Sequence, residues 1–551
     1  MLVCDVQRIK LKTWVLTSRQ QFDLDCLLND VFFPLTGFLD RHDYESVCET
    51  MRLTDGRLWP IPINLDVSEA FANSLKPHEM IVLVNQDNTP LAEMRVTSNW
   101  QPNKQIEAKQ VFGTTDVTHP GVNYLFEKAG SWYLGGQLTA RKRLTYFDFR
   151  QYRHTPLELK QYFNAFDWRR IVAFQTRNPI HRAHFELTCR AATAANAALL
   201  LHPVVGITMP GDISSSIRIR CYEAVLYHYP KHQPVMLSLL PLAMRMAGPK
   251  EALWHALIRK NYGVTHFIVG RDHAGPGLSQ SGEPFYKPDD AQKLASSHAD
   301  EVGIDIMAFS ELSFVKKRAA YLTIEELSPD DKVEQLSGTM LRERLKNGLD
   351  IPSWFSFPDV LNILKSAFCP PNQQGFTLFF TGLSGAGKST LARALQAKIQ
   401  EDSARAVTLL DGDEIRQHLC AGLGFNLSDR NTHIHRLGFV AKEITRHRGI
   451  TIIAAIAPVA ATRESIKKQI REMGGFIEIH VATPLSECKL RDTKGLYQQA
   501  EQGLIQEFTG VSSPYEIPEQ ADLIIDTTKM EVNDAIEIIL DKIERLGYSW
   551  R

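Results

Sequence analysis

No run in the 551-residue sequence approaches about 18 uninterrupted apolar residues, which leaves no candidate for a membrane-spanning helix. There is no excess of charge of either sign. Lys and Arg number 62 against 63 Asp and Glu, a net charge of −1, so the global basic excess of a nucleic-acid partner is absent. The eight cysteines stand at 4, 26, 48, 189, 221, 369, 420 and 488, with no CxxC among them. That scatter fits a reduced, cytoplasmic setting and does not read as a disulfide framework. The opening stretch MLVCDVQRIKLKTW carries charge early and lacks a secretory apolar core, so no leader is expected there.

What is present is the composition of an ordinary globular protein, 44% hydrophobic and 23% charged, in a chain too long for one core, so several domains are expected. Residues 1–165 alternate short apolar stretches with turns, such as Pro62–Val67, Met80–Val84 and Leu91–Val96, and read as a β-rich module with Trp14, Trp59 and Trp132 in its core. From 166 to 335, strands alternate with Ala-rich helices, as a Rossmann-like parallel sheet requires. Residues 336–370 form a small helical piece and linker. Ser337-Gly338-Thr339 opens a helix with Leu341, Leu345 and Leu349 at four-residue spacing, and Cys369-Pro370-Pro371 breaks the pattern. Residues 371–551 restart it as a second α/β domain.

The chain is organised around Gln175-Thr176-Arg177-Asn178-Pro179-Ile180-His181-Arg182-Ala183-His184. The apolar run Ile171–Phe174 precedes it and an Ala-rich segment follows, a strand–loop–helix sequence. Such a loop lies at the carboxyl end of a parallel strand and faces the free N–H groups of a helix start, where anions settle. His181 and His184, three apart, would share a helix face. With Arg177, and with no Cys or carboxylate nearby to complete a metal set, they suit a polyphosphate better than a metal. A second window repeats the pattern: the strand Thr265–Gly270 runs into the basic, Gly-rich loop Arg271-Asp272-His273-Ala274-Gly275-Pro276-Gly277.

QTRNPIHRAH, PLAMRMAGP (241–249), GRDHAGPG (270–277) and SGTMLRERL (337–345) together resemble the ATP sulfurylase family, over roughly the first 365 residues. The resemblance implies a small barrel-like, PUA-like N-terminal domain and a Rossmann-like nucleotidylyltransferase domain. The reaction it implies is ATP with sulfate, giving adenosine 5′-phosphosulfate (APS) and pyrophosphate. It places Gln175, Thr176, Arg177, Met244, Arg245, Gly270, His273 and Ala274 around the substrates. Arg177 and its loop would grip sulfate, while Asn178, His181, His184, Arg271 and His273 would neutralise the triphosphate. A site built only of donors would suit sulfate, which carries no proton at neutral pH, over hydrogen phosphate.

Gly382-Leu383-Ser384-Gly385-Ala386-Gly387-Lys388-Ser389-Thr390 is GxxxxGKS between the apolar Phe376–Phe380 and a helix with Leu391, Leu395 and Ile399 on one face. Sequence and context both match a P-loop. Its backbone amides would wrap phosphates, Lys388 would reach the β and γ groups, and Ser389 would help hold Mg2+. Four more strands follow, at 406–410, 450–456, 476–481 and 523–525, the first ending in Asp411-Gly412-Asp413, carboxylates able to position Mg2+ or take a hydroxyl proton.

LLDGDEIR, LGFNLSDR, KGLY, EFTG and SPYE then resemble the APS kinase family over about 376–530, which implies 3′-phosphorylation of APS to PAPS by a P-loop kinase domain with a parallel sheet. Carried over by position, Arg416 and Arg430 would hold the APS phosphate and sulfate, Phe425 and Phe508 would sandwich its adenine, Asp413 would be the base and Lys494 a further contact. The chain departs from the family in three places. His433 stands at a usual Asn, His435 at a usual Arg, and Ala455–Ala460 lacks the Ser and Arg of the FISPFR type. The rival reading makes the C-terminal domain a regulatory binder of APS or PAPS, and sequence does not fix whether the first domain makes or consumes ATP. A homo-oligomer is the family precedent.

Overall fold

The computed structural model describes residues 11–142, 144–209, 212–505 and 507–551; the stretch 1–10, with Cys4, lies outside the described residues. Two compact units emerge, one of residues 1–337 with 351–364 and the other of residues 338–350 with 365–551.

The first unit opens with a six-stranded sheet. Its path runs Lys12–Val15, Met80–Val84, Pro90–Trp100, Trp132–Ala140 and Gly37–Phe38, with Leu65–Val67 paired to Trp132–Ala140 as well. The strand read at 91–96 extends to Trp100, because a register shift between Val96 and Ser98 bends it and pairing resumes beyond. The region is less purely β than its sequence suggested. Helices Ser18–Leu28, Arg41–Thr50 and Lys104–Phe112 stand between the strands, each started by a side-chain cap from Thr17, Asp40 or Asn103. Trp59 is fully buried, whereas Trp14 and Trp132 are half-buried.

The second layer of this unit is a five-stranded parallel sheet ordered Asp305–Ala308, His266–Val269, Ile171–Phe174, Ala198–Leu201, Val235–Leu237. Its inner strands are buried along their whole length, as a sheet covered on both faces demands. From Ile171–Phe174 the chain moves outward on one side and then returns to build the other. The order therefore reverses between Ile171–Phe174 and His266–Val269, the position where open α/β sheets leave a crevice at their carboxyl ends. Helix Gly248–Asn261 joins the two modules: it is buried on most of its faces, and Trp254 packs 5.2 Å from Phe32 and 6.5 Å from Trp59.

The second unit carries its own parallel sheet, ordered Val407–Asp411, Ile450–Ala454, Phe376–Thr381, Gly475–Val481, Leu523–Ile525. Phe376–Thr381, which feeds the P-loop, is central and completely buried. Helix Gly338–Lys346 belongs to this unit. Leu341 and Leu345 are buried on it, while Leu349 lies beyond its end and is exposed. Among the described residues no helix is long and apolar enough to cross a membrane.

Candidate active sites

The loop 175–181 leaves the first sheet at its reversal point and is held rigid from within. Thr176 Oγ1 accepts the Asn178 N–H at 2.9 Å and donates to the Asn178 carbonyl at 3.0 Å; Tyr222 donates to the same carbonyl at 2.9 Å. His181 is the extended residue just before helix Arg182–Ala195, not a member of its first turn, yet its ring lies 6.4 Å from that of His184. His181 Nδ1 sits 2.9 Å from Ser356 Oγ with its ring 4.4 Å from Phe355; the His184 ring lies 5.9 Å from Phe174 and its Nδ1 is buried without a partner. Burial, with His184 adding to it, pushes His181 down to about 3, and burial alone pushes His184 down to about 4. Both imidazoles are therefore neutral at pH 7. Without a ligand they offer N–H groups and lone pairs, and the charge expected of them toward a triphosphate would have to be induced by that anion.

Gln175 and His273, from the two motif loops, meet on a residue that the motifs did not include. Gln175 Nε2 and His273 Nε2 stand 2.8 and 2.9 Å from Nδ1 of His255. An amide nitrogen only donates, so His255 Nδ1 accepts, its proton lies on Nε2 and His273 donates from Nε2. His255 Nε2 in turn faces Glu251 at 3.3 Å, and Glu251 accepts the N–H groups of Arg245 and Ala247 at 2.9 and 2.8 Å.

Arg177 and Arg271, the cations of the two motif loops, are both engaged. Arg177 donates to both oxygens of Asp212 at 2.8 and 2.9 Å, and its charge also acts on Asp272 across the two loops. Arg271 donates to Asp289 at 2.8 Å. A surround made only of donors is thus not what the chain builds, since Asp212 and Asp289 hold the guanidiniums an anion would need. Arg245 is a second correction. Its guanidinium is nearly fully buried and spent on Asp23, at 2.7 Å, and on the Ala243 carbonyl, so it ties the N-terminal module to the parallel-sheet domain. Met244 is buried with its N–H on the Ile207 carbonyl at 2.8 Å. Gly270 faces open space, and Ala274 adopts a left-handed φ of +55° while its carbonyl accepts from Gly248 at 3.2 Å.

The second site is a cleft of about 300 Å³ whose lining brings the P-loop together with Asp413, Arg416, Phe425, Arg430, His433, Lys494 and Phe508. Glycine is required where the loop turns. Gly385 and Gly387 have φ of +73° and +100°, and a Cβ on Gly382 would come 2.5 Å from the Val481 carbonyl. Ser384 and Ala386 are fixed by their carbonyls, which accept from Tyr497 at 2.9 Å and from Thr483 and Thr527 at 2.9 and 3.1 Å. Lys388 starts helix Lys388–Asp402 and donates to the Leu383 carbonyl at 2.6 Å. Burial, with Lys494 adding to it, pushes its ammonium down to about 8.

Ser389 lines the cleft and Thr390 beside it is exposed. Asp411 is buried at the tip of its strand and accepts the Asp413 N–H at 3.1 Å. Asp413 is ion-paired with Lys494. Arg416 lies 4.7 Å over the ring of Phe425 and donates to the Gly424 carbonyl at 3.0 Å; Arg430 donates to Thr509 and, at 3.2 Å, to Ser513. Phe425 is 63% exposed on one wall of the cleft with only one face covered by Arg416, whereas Phe508 is half-buried 5.1 Å from Tyr497. His433 lines the cleft with Nδ1 buried and unpartnered; His435 is exposed and outside the lining.

Sequence reasoning missed Asp212, Glu251, His255 and Ser356 in the first site and Tyr497, Thr483 and Thr527 in the second. Glu251 and His255 did leave a signal, a Glu and a His four apart on a helix. Tyr497 closes the KGLY motif already singled out.

Comparison with known families agrees with this layout. Residues 4–143 match a PUA-like domain, 150–367 match ATP-sulfurylase and 374–526 match adenylylsulphate kinase. A hexameric APS kinase from Thiobacillus denitrificans superposes with a TM-score of 0.79 at 34% identity, covering 98% of this chain and 94% of that one. A sulfate adenylyltransferase of Yarrowia lipolytica is 44% identical across 97% of this chain and 94% of its own length. One from Aspergillus fumigatus is 45% identical across 99% of this chain and 95% of its own. With these matches running through both units, the chain belongs to the sulfate adenylyltransferase family and carries an adenylylsulphate kinase domain at its C-terminal end.

Proposed function

We propose that this protein activates sulfate in two steps on one chain. In the first, a sulfate oxygen attacks the α-phosphorus of ATP in line. The new S–O–P link forms as the bond to the bridging α,β-oxygen breaks, and pyrophosphate leaves with the electron pair. Sulfate carries no proton at neutral pH, so no base is needed. The loop around Gln175, Thr176 and Arg177 receives sulfate, with Arg177 exchanging Asp212 for the incoming anion. Asn178, His181, His184, Arg271 and His273 orient the triphosphate, the histidines as neutral hydrogen-bonding groups.

In the second step the 3′-hydroxyl of APS attacks the γ-phosphorus of another ATP. The hydroxyl proton passes to Asp413, the bond to the β,γ-oxygen breaks, and ADP departs. Lys388, which rests on the Leu383 carbonyl in the substrate-free loop, turns to the β and γ phosphates. Their charge restores its full ammonium character. Lys494 moves from Asp413 toward APS and frees that carboxylate. Arg416 and Arg430 hold the acidic groups of APS, and Phe425 and Phe508 hold its adenine between aromatic faces.

Ser389 and Asp411 offer one hydroxyl and one buried carboxylate, a set suited to Mg2+, which keeps water and phosphate oxygens for its other positions. Bound there, Mg2+ would neutralise charge on the β and γ phosphates. The first step runs uphill because the phosphate–sulfate anhydride is a high-energy bond, and the second draws it forward by consuming APS. The same reading makes the protein a cytoplasmic homo-oligomer; the T. denitrificans protein it resembles is described as hexameric.

The observation that carries this reading is the coincidence of an intact P-loop with two arginines and two phenylalanines on one cleft. The test supplies ATP, Mg2+ and sulfate and follows APS and PAPS separately. Both should appear, and Lys388→Ala should stop the chain at APS. PAPS formation that survives Lys388→Ala, or no PAPS from the unaltered protein, would refute the second step.

A further inference from the structure

Behind the Gln175–His255–His273 contact lies a positive charge with nothing to balance it. Arg259 stands four residues after His255 on helix Gly248–Asn261, on the same face. It is completely buried, and its one hydrogen bond runs from Nη2 to the His202 carbonyl at 3.1 Å. Its Nε and Nη1 are buried without partners, and so are both ring nitrogens of His202. The guanidinium lies 5.3 Å over the ring of Phe267, and among the described residues no carboxylate is within ion-pair distance of it.

The groups whose charge state couples to Arg259 are neutral, while Asp25 and Glu158 act on Tyr262 and Glu251 acts on His255. The neutral groups are His202 at the end of its strand, His255 on the same helix, His273 from the second motif loop and Tyr262 at the helix end. Burial holds His202 and His273 well below their usual range and lowers His255 against the pull of Glu251, and the charge of Arg259 adds to the lowering in each. Burial lowers Arg259 itself to about 9, still charged at neutral pH. Glu251, one helical turn before His255, is committed to His255 and to two backbone N–H groups.

A buried cation without a counter-charge costs several kcal/mol. That cost falls if the missing negative charge arrives with the ligand. We infer that Arg259 is a positioning residue of the first site: without touching the substrate, its uncompensated charge acts through the His255–His273–Gln175 contact and makes the pocket prefer a dianion to a monoanion. The inference rests on the proposal that the Gln175–Arg177 loop receives sulfate. It adds what that loop does not supply, because Arg177 carries its own carboxylate partner in Asp212.

The test compares two tetrahedral competitors of sulfate in the full-length protein, thiosulfate as the dianion and perchlorate as the monoanion. Coulomb energy is linear in ligand charge. Arg259→Gln, which keeps an amide to donate to the His202 carbonyl, should weaken inhibition of APS formation by thiosulfate about tenfold and by perchlorate about threefold, half the effect on a logarithmic scale. PAPS formation from supplied APS serves as the internal control and should stay unchanged. Arg259→Lys keeps the charge and loses the planar fork, so it should retain the unaltered protein's ratio of the two inhibition constants whatever its overall rate. That arm stands if Arg259→Gln does not fold. Equal weakening of both anions in Arg259→Gln, no weakening of either, or a lost ratio in Arg259→Lys would overturn the inference. Absence of APS formation in the unaltered protein would instead sink the function proposed for the first site, and this inference with it.

Discussion

On the proposed reading the two sites would handle phosphate by opposite means. In the second, the anion cradle is backbone: three glycines, an ammonium and a helix start, all within nine consecutive residues. In the first, it is a set of neutral imidazoles and amides tuned by buried partners contributed from far along the chain. His181 leans on Ser356, 175 residues away, and Arg245 on Asp23, 222 residues away. A local cradle can be read from its own letters. A dispersed one shows its first layer in sequence and hides the groups that set its charge.

The contrast should appear most strongly in acid. The first unit buries His119 and His184, both lowered to about 4, and His181, lowered to about 3, beside His202, His255 and His273, also held down by burial. The second unit has His433, lowered to about 4, and His480. A depressed imidazole binds its proton more readily unfolded, so stability is full above about pH 6.5. It then falls as pH drops toward the folded value, by up to about 1.4 kcal/mol per pH unit for each group. Glu107, raised to about 6, and Asp272, also raised by burial, work in the opposite sense, but with His154 and His266 also lowered they are two groups against eight. Between pH 6.5 and 4 the first unit should therefore lose its tertiary signal well before the second. Separate unfolding of the two units, followed by calorimetry and by activity of each half, would check this; coincident acid transitions would contradict it.

Lys388→Ala separates the sites next. Removing a charge poised for the transferring phosphoryl group should lower PAPS formation about a thousandfold while leaving the initial rate of APS formation, measured with pyrophosphate continuously removed, within about twofold. A fall in both rates would mean that the halves are coupled more tightly than two independent cradles allow.

Asp23→Ala should cost the first unit about 3 kcal/mol, because it strands Arg245 as an unpaired buried charge. Urea unfolding should show the loss in the first unit alone. This pair also marks the limit of what sequence carried. The parallel sheets, the P-loop and the strand-end loops were readable because period, glycine and apolar runs are local signals. Arg245 was misplaced as a substrate contact because a motif fixes where a residue stands in the chain and not where its side chain turns. Asp212 was invisible for a related reason: a carboxylate that pairs with a cation 35 residues away looks the same in sequence as one facing solvent. The lowered titration of His181 goes with its burial against Phe355 and Ser356, which no pattern around the motif announces.

The smallest expected effect tests the most exposed part of the second cradle. Phe425 stands 63% exposed with Arg416 stacked on one face, whereas Phe508 is half-buried against Tyr497. If adenine is held between them, Phe425→Ala removes one wall of a stack worth about 1 kcal/mol. The KM for APS should rise about fivefold, with the KM for ATP and the folding stability unchanged because the ring buries little in the free protein. Phe425→Leu, which keeps apolar area and loses the π-face, should fall between the two. An equal rise in the KM for ATP would place the ring on the wrong nucleotide, and a wild-type value in Phe425→Leu would show that apolar contact, not stacking, is what this wall of the cleft provides.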